Sequence, residues 1–237
     1  MAYNDLREYL DVLKQKGKLK VIDTEVDKDW EISAVGRVAF QSIHESERPA
    51  LMFTNVKGYD IPVVFGILGG SREIYSLALG TTPDKIQEKW ASAQQNPIPP
   101  KVVETGPVKE NILLGDDIDI FKFPVPTWTV EHDPAPYLTS PVVFTKDPET
   151  GIQNVGTYRC MLKDKKKLGV WVNFVQHARK HKEMWDARNE PTPVAIVLGT
   201  DPAIGLCSVA RMIYGLDELA AAGGLRGEPV EVVKCET

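Results

Sequence analysis

The chain has 237 residues, enough for one large domain or two small ones. Its 28 basic and 33 acidic side chains leave a net charge of -5, and such mild, well-mixed acidity argues against nucleic-acid binding, which needs clustered Lys and Arg. A hydrophobic fraction of 43% with 26% charged residues excludes global disorder, and no apolar run approaches the roughly 20 residues of a membrane span.

A first helix is expected after Asn4 or Asp5 as cap, with Leu6, Tyr9, Leu10 and Leu13 on one face and a stop at Gly17. A short strand at Val21-Ile22-Asp23 precedes a second helix, capped by Asp27 or Asp29 and carrying Trp30, Ile32, Val35 and Val38. Residues 50–56 and 61–68 predict strands around the turn Lys57-Gly58-Tyr59-Asp60. Thr82-Pro83-Asp84 starts another helix, with Pro83 at its first position. Eight of the 17 prolines then fall between Pro97 and Pro136, which excludes a regular helix or central strand there. Residues 97–123 read as the connection between two lobes, either a surface linker or an ordered, Pro-stiffened wrap. In the second lobe, 137–145 and 153–161 predict a hairpin around the turn Asp147-Pro148-Glu149-Thr150-Gly151. Residues 168–175 form a third strand, Ala178–Arg188 a basic amphipathic helix, and Val194–Leu198 a buried strand. A helix from Leu216 is expected to end at Gly223-Gly224, and Val230–Val233 is the last strand.

The N-terminus carries acid early and lacks the apolar stretch of a secretory signal. Cys160, Cys207 and Cys235 are too scattered for a disulfide framework or a zinc ribbon. Together these features predict a soluble, cytoplasmic protein without membrane or nucleic-acid partners.

Residue chemistry goes only part of the way to a site. His177 and His181 stand four apart on a predicted helix and could share a metal, but Ala178 replaces the Glu of a zinc protease. Among Arg179, Lys180 and Lys182 the pair reads first as a solvated basic face. Gly199-Thr200-Asp201-Pro202-Ala203 and Gly69-Gly70-Ser71-Arg72 are weak candidates for phosphate-binding turns. Asp116, Asp117 and Asp119 lack a calcium loop, and no dinucleotide fingerprint, Walker sequence or nucleophile elbow is present.

The stretch Asp147–Arg159 with its Asn154 and Arg159, then Gln176-His177, Leu216-Asp217-Glu218, Gly223-Gly224-Leu225-Arg226-Gly227 and Val232-Val233-Lys234-Cys235, resembles the UbiD family. Its members are reversible decarboxylases that use prenylated flavin mononucleotide, and the resemblance runs from the first helix to the C-terminus. It implies an α/β (α+β) fold: a small N-terminal α/β lobe, 1–123, followed by an antiparallel, split-barrel-like flavin-binding lobe, 124–237. It implies a divalent metal, Mn2+ or Mg2+, held by Asn154, His177 and Glu218, and a neighbouring K+ near the backbone of Ala210 and Met212. Thr139, Thr157, Gln176 and Arg211 match positions that contact the phosphate, ribityl chain or ring. Arg159 matches the arginine of a catalytic Glu-Arg-Glu network, where a guanidinium can clamp a substrate carboxylate bidentately. The implied substrate is an aromatic or α,β-unsaturated acid, and the implied cofactor supplier a flavin prenyltransferase.

The chain departs from the family in ending at Thr237, before the segment that carries both network glutamates. The missing C-terminal domain would come from a longer chain or a partner subunit, and homo-oligomers are expected. The alternative is a module that binds flavin phosphate and metal without catalysis, or a plain metal-binding fragment. Two geometric expectations follow. Asn154, His177 and Glu218 should converge. Asn154 and Arg159 differ by an odd number, so a regular strand would point them to opposite faces, and a bulge is expected at Gly156.

Overall fold

The computed structural model describes residues 3–212 and 215–236. Helix α1 spans Leu6–Gln15 and is capped by Asp5, whose carboxylate accepts from the Glu8 amide. It buries Tyr9 and Leu13 completely. Strand β1 (Leu19–Ile22) follows, then helix α2 (Glu31–Ser42), β2 (Ala50–Phe53) and β3 (Val63–Phe65). β1 pairs parallel with β2, and β2 pairs antiparallel with β3.

Neither Asp27 nor Asp29 caps α2 with its side chain. Trp30 occupies the cap position at φ +73° without a side-chain cap bond. The Asp29 carboxylate is taken by Lys28 and by the Thr127 amide at 2.6 Å. Helix α3 (Arg72–Ala78) was not expected; Ser71 caps it by accepting from the Ile74 amide at 3.1 Å. Pro83–Lys85 form a 3-10 turn into α4 (Ile86–Gln95).

The proline-rich segment is an ordered wrap. Its amides find backbone acceptors far along the chain, Ile98 on Ala220, Lys101 on Val230 and Ile120 on Lys165. β4 (Lys101–Val102) pairs parallel with the last strand, Glu231–Val232.

The C-terminal part contains β5 (Tyr137–Leu138), β6 (Val142–Lys146), β7 (Gln153–Thr157), β8 (Cys160–Asp164) and β9 (Lys167–Val170). Helix α5 (His177–Ala187), β10 (Ala195–Val197), α6 (Pro202–Cys207), α7 (Glu218–Arg226) and β11 (Glu231–Val232) complete it. Two antiparallel three-stranded sheets result, ordered β10-β6-β7 and β5-β8-β9. The two long strands expected at 137–145 and 153–161 are therefore four short ones. Each is broken where the chain passes from one sheet to the other, at Thr139–Pro141 and at Tyr158-Arg159. Gly156 carries no bulge; it pairs in register with Val143. β10 is half-buried, and α6 was not expected.

α7 does not end at Gly223-Gly224. It runs on to Arg226 with Gly227 as its left-handed cap, and the two glycines serve close approach instead. A Cβ on Gly223 would lie 2.3 Å from the Ile98 carbonyl oxygen, and one on Gly224 2.7 Å from that of Ala93. α7 thus lies backbone to backbone against α4 and the start of the wrap. The largest buried cluster joins Tyr9, Leu13 and Ile74 to Val142, Val155, Leu206 and Leu219. Among the described residues no helix is long and apolar enough to cross a membrane.

Candidate functional site

Two cavities open on either side of the β7–β8 crossing. The smaller, about 150 Å3, is lined by Asn154, Gln176, His177, Ala210, Arg211, Met212 and Glu218. These seven residues come from β7, the α5 N-terminus, the segment after α6, and the α7 N-terminus. His177 and Glu218 are each the first residue of their helix, so two positive helix ends face one cavity. Val155, Gly156, Tyr158, Val175 and Ser208 complete the wall.

Glu218 is only 5% exposed. Its Oε2 accepts from the Val155 amide at 3.1 Å, and it forms no ion pair among the described residues. Burial pushes its carboxyl up to about 7, against the pull of its own amide and that of Val155. A carboxylate so placed favours a cation. Asn154 is also buried, and its amide nitrogen faces Thr145 Oγ1 and the Tyr158 hydroxyl, both at 3.3 Å. The group left to serve a cation is its carbonyl oxygen. Burial, then Lys180, lowers the pKa of His177, which favours the neutral imidazole a metal needs. An amide oxygen, an imidazole and a carboxylate suit a hard or borderline divalent cation. Among the described residues no group of three His, Cys, Asp or Glu side chains could hold a metal, so the donor set depends on the amide.

His181 does not share this cavity. It is fully buried, with Nδ1 3.0 Å from Thr145 Oγ1, and is no solvated basic face. The Gly199–Ala203 turn offers no anion site either. The Asp201 carboxylate already accepts from the Ala203 and Ile204 amides at 2.7 and 3.2 Å, and pairs with Arg226 at 2.6 Å.

The larger cavity, about 580 Å3, holds Arg159 and Thr139 with Trp128, Tyr137, Met161, Lys163 and Trp171. Tyr158 lines the small cavity and Arg159, one residue on, lines the large one. The strand break at this step, rather than a bulge at Gly156, is where the chain turns its side chains between the two. Asp133 is the one carboxylate on this lining, and it accepts from the Thr129 amide at 2.7 Å. Thr157 lines neither cavity; its hydroxyl lies 2.8 Å from that of Ser208.

Tyr158, Ser208, Trp128 and Trp171 line the cavities without being expected there from the sequence. Tyr158 was open to detection, since a Tyr inside the Asn154–Arg159 stretch must face one side or the other. The remaining three are brought in by tertiary packing alone.

A profile of the 3-octaprenyl-4-hydroxybenzoate carboxy-lyase Rift-related domain (UbiD) matches residues 101–237, and its N-terminal domain profile matches residues 10–94. A curated phenolic acid decarboxylase of Sedimentibacter hydroxybenzoicus is 33% identical over 99% of this chain. The chain spans about half of that relative's length, 51%. Among solved structures, an evolved dimeric form of the UbiD-class enzyme HmfF from Pelotomaculum thermopropionicum, in complex with prFMN, superposes with a TM-score of 0.90. It is 36% identical, and the match covers 99% of this chain and 53% of that one. The closed form of Sedimentibacter hydroxybenzoicus vanillic acid decarboxylase also gives 0.90, at 31% identity over 100% of this chain and 51% of its own.

Proposed function

Because the chain belongs to the UbiD family, we propose that it is the cofactor-holding part of a decarboxylase that acts reversibly on an aromatic or α,β-unsaturated acid with prenylated FMN. The observation that carries this reading is the lining of the small cavity. Asn154, His177 and Glu218 lie far apart in sequence, yet share it with Gln176, Ala210, Arg211 and Met212.

In this reading Asn154, His177 and Glu218 hold a Mn2+ or Mg2+ ion, and the carbonyls near Ala210 and Met212 a K+ ion. Arg211, Gln176 and the two helix ends receive the flavin phosphate. The divalent cation offsets phosphate charge where burial weakens solvent screening. When bound, prenylated FMN supplies the electron sink for the carbon that loses carbon dioxide. Arg159 clamps the substrate carboxylate in the large cavity, with Thr139 beside it and Trp128 and Trp171 as aromatic walls. The carboxylate must leave water to react, so the open side of that cavity needs a cover.

The proton donor comes from outside residues 1–237. Asp133 is the one carboxylate lining the Arg159 cavity, and its Oδ2 is tethered to the Thr129 amide. Glu228 is bound to Arg226 at 2.9 Å, and Glu231 lies in β11 beside Lys101. The domains 1–123 and 124–237 therefore work with a further segment, of the same polypeptide or of a partner subunit, in a homo-oligomer in the cytoplasm. A flavin prenyltransferase supplies the cofactor.

The test is co-expression with a flavin prenyltransferase, followed by visible spectroscopy and metal analysis. A flavin spectrum with bound Mn2+, both lost in Glu218→Gln, is the expected result. A chain that stays colourless and metal-free sinks the proposal.

A further inference from the structure

Asn154 can serve a cation only with its amide turned one way. One end of the group accepts hydrogen bonds and the other donates. The Asn154 amide nitrogen is 3.3 Å from Thr145 Oγ1 and 3.3 Å from the Tyr158 hydroxyl, so each of its two N–H bonds has an acceptor. Thr145 lies directly across the sheet from Asn154, in register between β6 and β7. Its Oγ1 is in turn 3.0 Å from Nδ1 of His181.

This chain of contacts has a direction. A hydroxyl owns one proton. When Thr145 gives it to Nδ1 of His181, the Thr145 oxygen can only accept, and the group opposite must be the Asn154 N–H. A flipped amide would set its oxygen against a Thr145 oxygen with no proton to offer. Burial lowers the His181 pKa, and the neutral ring accepts at Nδ1 in the tautomer that carries its proton on Nε2.

Tyr158 adds the second restraint. Its hydroxyl is buried and also feels the Ala178 amide, in the first turn of the helix that starts at His177. Tyr158 therefore links Asn154 to the helix end that carries His177. Room for it is made by Gly156, where a Cβ would stand 2.5 Å from the Tyr158 hydroxyl oxygen.

We propose that Thr145, held by His181, and Tyr158 are positioning residues that turn the Asn154 carbonyl oxygen into the small cavity and so set its affinity for a divalent cation. This inference rests on reading that cavity as a cation site. Outer partners of metal ligands typically account for about 10–100-fold in metal affinity.

The experiment titrates Mn2+ into the purified chain in the presence of saturating FMN, with free Mn2+ read by electron paramagnetic resonance. Thr145→Val and Tyr158→Phe are each expected to weaken binding by about 10-fold or more. Thr145→Ser, which keeps the hydroxyl, is expected to bind as the wild type does. Asn154→Asp gives the decisive comparison, because a carboxylate presents an oxygen whichever way it turns. In that background Thr145→Val should cost no affinity. An equal loss in both backgrounds marks a merely structural role and overturns the inference. So does wild-type binding by both Thr145→Val and Tyr158→Phe while Glu218→Gln abolishes it. Mn2+ affinity that is absent in the wild type, or unaffected by Glu218→Gln and His177→Ala, removes the cation site itself and the inference with it. Melting temperatures without Mn2+ identify any variant that has failed to fold.

Discussion

The small cavity around Asn154 and Glu218 has a buried inner wall of fastened side chains and only Val175 and Arg211 exposed at its rim, while the large cavity around Arg159 is walled largely by exposed ones. Asn154 and Glu218 are 4% and 5% exposed, whereas Trp171 is 72% exposed and Phe174, just beyond it, 83%. The first site is built at the expense of stability, with a carboxylate forced into a poorly hydrated place. The second is a half-built wall. The buried side holds a desolvated carboxylate, and the open side leaves Trp171 and Phe174 to solvent.

The largest expected effect separates the two cavities by function. In an assembly that turns over an aromatic acid, Arg159→Ala should cost about 10²–10⁴-fold in kcat/KM, the scale of a lost positioning or proton-transfer contribution. Mn2+ and FMN binding should survive. Loss of the bound flavin in Arg159→Ala would break the separation.

Next comes the stability cost of Glu218. Its carboxyl titrates at about 7 in the folded chain against about 4.3 in an unfolded one. The fold therefore favours the protonated form. This contribution to stability is full below about pH 4.3 and is lost as pH rises through 7, by about 4 kcal/mol in total. Glu218→Gln should flatten that slope in urea unfolding without metal, making the variant more stable than the wild type at pH 8 and no more stable at pH 4. Equal slopes would mean that Glu218 is not desolvated.

Gly156→Ala tests the buried side more gently. The added methyl meets the Tyr158 hydroxyl, so about 1–3 kcal/mol of stability should be lost. The matching change on the open side, Trp171→Ala, should stay within about 0.5 kcal/mol, because the ring packs against little. Thiol labelling should show the same gradient. Cys235 is exposed, while Cys160, pushed up to about 11 by burial, and Cys207 are buried; one thiol should react in the native state and three in denaturant.

Local rules carried the sequence reading furthest where one element settles the matter. α1 was legible in full, because its cap and its apolar face lie within ten residues of each other. α3 and α6 were equally open to it and were missed: Ser71, and Asp201 followed by Pro202, are ordinary start signals that were read as phosphate turns. The end of α7 was misjudged for a different reason. Gly223-Gly224 looks like a stop until α4 and Ile98 are packed against it, and only the tertiary structure supplies them. The odd spacing of Asn154 and Arg159 correctly required a break, but the break falls at Tyr158-Arg159, because β7 and β8 belong to different sheets. Resemblance located the residues of the small cavity. It could not reveal that Thr145, Tyr158 and His181 stand behind one of them.

The clamp at Arg226 has a consequence for how the chain comes into being. Its guanidinium donates to the Tyr3 carbonyl at 2.9 Å, across 223 residues of sequence, and to Asp201. During synthesis at about 5–20 residues per second, the first helix must wait on the order of ten seconds or longer for this partner to emerge. Tyr9 and Leu13, which the finished fold hides completely, have only an incomplete core to bury against in that interval. Contacts this distant in sequence slow folding. The nascent N-terminal helix is therefore the segment where a chaperone would first find something to hold.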